Sequence, residues 1–278
     1  MKMAKGSARR SLLEFYALVF ALSIPFWIFG AVAPDLSGYL PMNLPVSSLM
    51  FLCPLVAALI LTYREKGRSG VWELLRRTFD ARRVKRGRWY VPLVFLMPVV
   101  LLLEYGLMVW AGRPLPSPEI AFAAIPVLFV VFFVAAAGEE LGWMGYAAER
   151  ELSRWSAWKA SIAMGSIWAV WHVIPFFQTG HGATWVLWQC VVTVLLRVLI
   201  FWFYGNMGKS ILAAIVFHDM VNLGVTLFPA DGSHYDPFVT SLLLAIVVAG
   251  VVFGWGPKTL ARHRGLARKD GERFPKTA

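Results

Sequence analysis

Apolar stretches of about 20 residues recur from one end of this chain to the other, and no other feature restricts its fold as strongly. They fall near residues 12–33, 45–63, 89–111, 122–147, 158–178, 184–204, 209–228 and 237–256. Proline and glycine punctuate several edges, among them Pro114, Gly180, Gly182, Pro229 and Pro237. The 278 residues are 58% hydrophobic and 15% charged, where a soluble domain carries roughly 25% charged residues. The expectation is an all-α, polytopic transmembrane helical bundle of about eight spans. Residues 1–256 form one integral membrane domain, and 257–278 form a basic cytoplasmic tail. Ala31-Val32-Ala33 has the look of a cleavage site. The apolar stretch before it is too long for a signal peptide, and Pro34 follows it directly, so a retained first helix is expected.

The net charge of +11 is not spread evenly. Segment 1–11 holds four Lys or Arg, 64–88 holds ten, 148–157 holds two, and the chain from Pro257 holds seven. The intervening loops on the other side hold only Arg113, together with Asp35, Glu119, Asp231 and Asp236. By the positive-inside rule both termini are expected in the cytoplasm. The same distribution argues against nucleic acid as a partner, since no recognition module accompanies the charge. Segment 71–89 interleaves basic and apolar residues and is expected to lie along the lipid headgroups, making membrane lipid a partner. Cys53 and Cys190 stand far apart in apolar segments and read as packing residues rather than a disulfide or metal pair.

Charged side chains inside a membrane cost at least about 2.5–3.5 kcal/mol at a helix centre, so each is a functional candidate. Here they are Glu104, Glu139, Glu140, His172, Arg197, His218 and Asp219, with the uncharged Asn222 beside them. Glu139 and Glu140 are adjacent, so on a helix they point about 100° apart, one toward a cavity and one toward a neighbouring helix. Gly138 and Gly142 flank them at a spacing that lets another helix approach closely. His172 lies in the stretch Trp168-Ala-Val-Trp171-His172. His218 and Asn222, four residues apart, share a helix face. Together these residues form a hydrolytic set: a carboxylate to take a proton from water, an imidazole to orient that water, and hydrogen-bond donors for a developing oxyanion. Gly208-Lys209-Ser210 ends like a phosphate-binding loop, but Phe203 stands where the upstream glycine is required. No G-x-S-x-G nucleophile elbow occurs. His181, His234 and His263 fall outside the spans and are expected in solvent.

In these motifs the chain resembles the CPBP or ABI family of intramembrane proteases, which includes the type II CAAX prenyl endopeptidases. The resemblance rests on Glu139-Glu140 with Gly142-Trp143 and Gly145-Tyr146, on Trp168-x-x-x-His172 and on His218-x-x-x-Asn222. The run Gly208–His218 resembles the family's approach to its last motif. The family-like core covers about 120–228, and the first 120 residues have no signature. The resemblance implies that Glu139 activates water with the help of His172, that His218 and Asn222 form the oxyanion site, and that Glu140 is a supporting carboxylate. It also implies a catalytic pocket open toward the cytosol, and a chain resident in the plasma membrane of a bacterium or archaeon. One departure stands out. The family places an arginine four residues after the second glutamate, and this chain has Met144. Arg197 or Arg150 is expected to balance Glu140 instead, with Arg197 the favoured partner.

The function expected from the residues and the resemblance is a membrane-embedded endopeptidase. It would hydrolyse a peptide bond of a membrane-associated protein or peptide. A non-catalytic immunity or scaffold protein that keeps the fold is the alternative, supported by Met144, and a proton- or metal-coupled transporter is a third reading. A divalent metal such as zinc is left open as cofactor, because Glu139, His172 and His218 offer three ligand types. No H-E-x-x-H helix is present, and the reading leans to no required metal.

Overall fold

The computed structural model describes residues 5–32 and 46–262. The expected tail beyond Arg262, with His263, lies outside the described residues, as do Ala33, Pro34 and Asp35. The described chain is helical: α1 (Lys5–Val32), α2 (Leu52–Arg76), α3 (Tyr90–Trp110), α4 (Ile125–Gly142), α5 (Ala148–Leu152), α6 (Ala157–Gln178), α7 (Ala183–Asn206), α8 (Ile211–Leu227) and α9 (Pro237–Trp255). Helices satisfy their own backbone groups, as apolar surroundings demand. The chain is an integral membrane protein, and among the described residues seven helical segments are long and apolar enough to span a bilayer.

The seventh expected span, 209–228, is shorter. Helix α8 has 17 residues, about 25 Å at 1.5 Å per residue, against a hydrocarbon core of about 30 Å. It is an inner helix rather than a lipid-facing one. It packs on α3, α4 and α7, and Ile211, Ala214, Ile215, Phe217 and Asp219 are fully buried. Its start is fastened from outside the helix. Ser210 caps it by accepting from Ala213 N at 3.2 Å, and Asp80 accepts from Ser210 Oγ at 2.5 Å and from Ile211 N and Leu212 N at 3.2 Å each. Anionic Asp80 also suits the positive end of the helix dipole.

The expected close approach beside the glutamates is present, and its partner is α2. A Cβ on Gly142 would lie 2.5 Å from the carbonyl oxygen of Pro54, and one on Gly138 would lie 2.9 Å from that of Phe51. Glycine at both positions therefore lets the two backbones touch. After Gly142 the helix widens into a π turn over Trp143–Ala147 before α5 resumes. Such turns add a residue to the helical register and recur at functional sites. Phe15 of α1 packs on this turn, stacked on Tyr146 and edge-on to Trp143.

Contacts gather the loops at two ends. At the basic end, Arg77 donates to Lys209 O, Ala157 N to Lys258 O, and Lys209 pairs with Glu149 at 3.0 Å. The tail starts here and is not free at once: Leu260 is buried, and Asn206 donates to its carbonyl at 2.8 Å. At the other end, Glu119 N donates to Pro229 O at 2.8 Å and Arg113 pairs with Asp236 at 2.6 Å. Alternate loops thus share an end, as the charge pattern predicts. Just before segment 71–89, α2 is broken at Gly67, which has φ +65, and within the segment Trp72 and Phe79 project outward beside the arginines. Cys53 and Cys190 are free thiols.

Candidate active site

The two adjacent glutamates do point different ways. Glu139 reaches a cavity of about 780 Å³, whereas Glu140 is fully buried behind its wall. His172 from α6 and His218 and Asn222 from α8 line the same cavity. Four of the five predicted side chains therefore meet around one space, and Glu140 supports them from outside it.

Trp168 organises the first pair. Its indole Nε1–H donates to Glu139 Oε2 at 2.7 Å. Its backbone carbonyl accepts from His172 Nδ1 at 2.9 Å. A carbonyl only accepts, so the His172 proton sits on Nδ1 and the Nε2 lone pair is free. That Nε2 lies 4.0 Å from Glu139 Oε1. The spacing is too long for a direct hydrogen bond and suits two groups that share one water. In the sequence Trp168 was legible as part of a motif, but nothing there signalled its bond to Glu139.

Glu140 is held by two donors. Arg197 Nη1 donates to Oε2 at 2.8 Å, and His218 Nδ1 faces Oε1 at 3.0 Å. Arg197 is itself fully buried, and its guanidinium lies 4.0 Å from the centre of the Trp168 ring. This face-on contact adds a cation–π attraction in a dry setting. The other candidate, Arg150, is engaged elsewhere, with Glu65 at 2.5 Å and the Tyr146 carbonyl at 2.6 Å. Arg197 thus sets one buried cation directly against the buried Glu140 carboxylate.

The remaining intramembrane acids sit apart. Glu104 accepts from Asp236 N at 2.7 Å and from the Thr240 hydroxyl, tying α3 to the start of α9. Asp219 is fully buried, and the structure shows no hydrogen-bond partner for its carboxylate. His181 departs from expectation. It stacks on Trp185 with ring centres 3.5 Å apart and lines the cavity, and burial holds its pKa below the ordinary value.

Beyond the polar floor the cavity's walls are largely apolar and run through Met97, Val131, Pro175, Val192 and Val225 to Thr179, His181, Ser233 and Tyr235. Those last residues belong to the end with few basic residues. No residue of the basic end lines the space. On that side Trp143, Met144, Phe203, Phe217 and Met207 fill the bundle. On one flank Val130, Val131 and Val134 both line the cavity and show on the outer surface of α4.

Among the described residues no three His, Cys, Asp or Glu side chains are grouped to hold a metal ion.

Residues 121–224 match the family described as type II CAAX prenyl endopeptidase Rce1-like. The chain is also similar to a protein named CAAX prenyl protease 2 from Methanococcus maripaludis. The two are 28% identical over 228 residues, which cover 77% of this chain and 83% of the relative. The matched segment contains the glutamate pair, both histidines and Asn222 in the order found around the cavity, and over it the chain is similar to the Rce1-like family.

Proposed function

We propose that this chain is a membrane-embedded endopeptidase of the CAAX-protease type, acting with a glutamate and a histidine on water. The observation that supports this most directly is the 4.0 Å gap between Glu139 Oε1 and the free Nε2 of His172, facing a cavity bordered by His218 and Asn222. A water in that gap donates one hydrogen to Glu139 and a second to His172. Glu139 takes the first proton as the water oxygen attacks the substrate carbonyl carbon. The carbonyl electrons move to oxygen, and that oxyanion accepts from His218 Nε2–H and the Asn222 amide. Collapse of the intermediate breaks the C–N bond. The proton held by Glu139 passes to the departing amine, so the step balances.

The supporting residues have defined tasks. Trp168 holds one oxygen of Glu139 so that the other faces the water. Glu140, fixed by Arg197, orients His218. No step is routed through a metal. The flank at Val130, Val131 and Val134 suits a substrate that is itself in the membrane. The pairing of Arg197 with Glu140 also removes the main support for a non-catalytic relative, since the buried carboxylate keeps its guanidinium without an arginine at Met144.

Two measurements test the reading. Purified protein in detergent is incubated with a farnesylated CAAX-terminated peptide, and membranes carrying the wild type or Glu139→Ala are compared by proteomics. Cleavage by the wild type, and a polypeptide that accumulates uncut only with Glu139→Ala, are expected. Full cleavage by both Glu139→Ala and His172→Ala would overturn it.

A further inference from the structure

Glu104 is a buried acid that the proposed reaction does not use. A carboxylate held inside a membrane bundle is costly, so its partners are informative. It accepts from Asp236 N at 2.7 Å and from the Thr240 hydroxyl. Glu104 and Thr240 in turn adjoin the phenol of Tyr235. Burial, and then the Glu104 carboxylate, hold that phenol's pKa above its ordinary value, so Tyr235 remains a donor. Its hydroxyl donates to Gln189 Oε1 at 2.8 Å. Tyr235 and Gln189 both line the cavity. A polar chain therefore runs from α3, past the start of α9, to a carboxamide on the α7 wall of the cavity.

That carboxamide stands at the depth of the reacting groups. Cys190 Sγ donates to Ala169 O at 3.9 Å, and a Cβ on Gly165 would lie 3.1 Å from Val194 Cα and from Arg197 Cβ. Helices α6 and α7 are thus antiparallel neighbours, with Gln189 beside the turn of α6 that carries Trp168 and His172. Several hydroxyls around it are already engaged. Thr193 Oγ1 donates to Gln189 O at 2.8 Å, Thr179 Oγ1 to Phe176 O at 2.8 Å, and Ser233 Oγ pairs with His234 Nδ1 at 2.7 Å. The Gln189 side chain offers one acceptor oxygen and two N–H bonds. Tyr235 takes the oxygen, which turns the Nε2–H2 group away from the phenol. An extended polypeptide in this cavity has left water and sets its carbonyls against largely apolar walls. A desolvated carbonyl needs a donor, and His218 and Asn222 serve only the one that reacts.

We propose that Gln189 anchors the substrate: its Nε2–H2 group donates to a backbone carbonyl flanking the scissile bond, and Tyr235 is the positioning residue that fixes the amide in that orientation. The group recognised is an extended peptide backbone. The inference rests on the endopeptidase reading and adds a residue outside its catalytic set.

The test uses the full chain in detergent and the farnesylated CAAX-terminated peptide. Cleavage is followed with Glu139 intact, and direct binding in a Glu139→Ala background. Gln189→Met keeps the length of the side chain and loses its hydrogen bonds. KM and the Kd in the Glu139→Ala background are each expected to rise about 2- to 12-fold, the effect of one neutral hydrogen bond. The kcat is expected to stay within about twofold of wild type, as for an interaction made equally in the ground and transition states. Tyr235→Phe is expected to raise KM when Gln189 is present and to change it no further beside Gln189→Met, because the hydroxyl acts through the amide. Unchanged KM and Kd in Gln189→Met would overturn the anchoring role, and a lowered melt in the same variant would then assign Gln189 to structure alone. Independent, multiplicative effects of the two substitutions would overturn the positioning role of Tyr235. Gln189→Asn, whose amide is withdrawn by one methylene, is read in the same way should Gln189→Met fail to accumulate. Neither cleavage by the wild type nor binding in the Glu139→Ala background would overturn the endopeptidase reading and this inference together. Cleavage by Glu139→Ala at the wild-type rate would sink the catalytic reading and leave the KM comparison standing, so the two failures are distinguishable.

Discussion

At the scale of single residues, the question set by Glu139-Glu140 is one of charge balance in a dry interior. Glu140 faces Arg197 at 2.8 Å with both side chains fully buried. Removing one partner of such a pair leaves an uncompensated charge, at a cost of about 3–5 kcal/mol. Arg197→Met is therefore expected to lower stability by that amount in a denaturant or thermal melt of the detergent-solubilised protein. The exchange of the two, Glu140→Arg with Arg197→Glu, should melt closer to wild type than either single reversal. Normal melting of both single reversals would show that the pair has no such role. Trp168 allows a milder substitution. Trp168→Phe keeps a ring beside Arg197 and loses the N–H that fixes Glu139 Oε2. A hydrogen bond to a charged group contributes about 1.5–3 kcal/mol, so kcat should fall by roughly 10- to 150-fold. KM should be unmoved, because the substrate does not touch the indole N–H. A change in KM with constant kcat would place Trp168 in binding instead.

Among the elements, α4 holds the site because it lies against α2 and α8 at once. The approach to α2 depends on two missing side chains. A Cβ at Gly142 would press on the Pro54 carbonyl at 2.5 Å, whereas nothing lies within 4 Å of a Cβ at Gly106 in α3. Gly142→Ala is expected to destabilise by about 1–3 kcal/mol through overpacking and to lower activity by displacing Glu139. Gly106→Ala should be neutral or stabilise by up to about 1 kcal/mol, the helix-interior advantage of alanine. Equal melts for the two variants would refute the close-contact account. The small-xxx-small spacing was legible in the sequence. That α2 rather than another helix fills it was not, because spacing states only that a surface is flat. The π turn over 143–147 was also beyond sequence patterning, since a single extra residue per turn leaves the hydropathy of an already apolar run unchanged. Helix α8 read as a full span because a 20-residue window admits its flanking residues. The cap at Ser210 and Asp80 sets its true start.

Across the whole molecule, the bundle is asymmetric from end to end: packed on the basic side of Glu139 and hollow on the other. Val225 lines the hollow half. Val225→Trp adds bulk where a cavity of about 780 Å³ can receive it. It should reduce kcat/KM for a membrane-anchored substrate at least about tenfold, a barrier increase of about 1.4 kcal/mol, with little change in the melt. Undiminished kcat/KM would mean that the substrate does not use that half.

Hydropathy and charge are summed along the chain, so the sequence by itself determined the all-α membrane architecture, the approximate spans and the two-ended distribution of charge. Its short motifs also named Glu139, Glu140, His172, His218 and Asn222, because buried ionisable residues are too costly to be incidental. The tertiary structure decided what those residues do to one another. Arg197 meets Glu140 across 57 positions and Trp168 meets Glu139 across 29. It also decided that the cavity reaches the end with few basic residues. The reason is physical: periodicity and hydropathy specify which face of a helix is buried, whereas charge neutralisation and free volume are settled only when several faces close on each other.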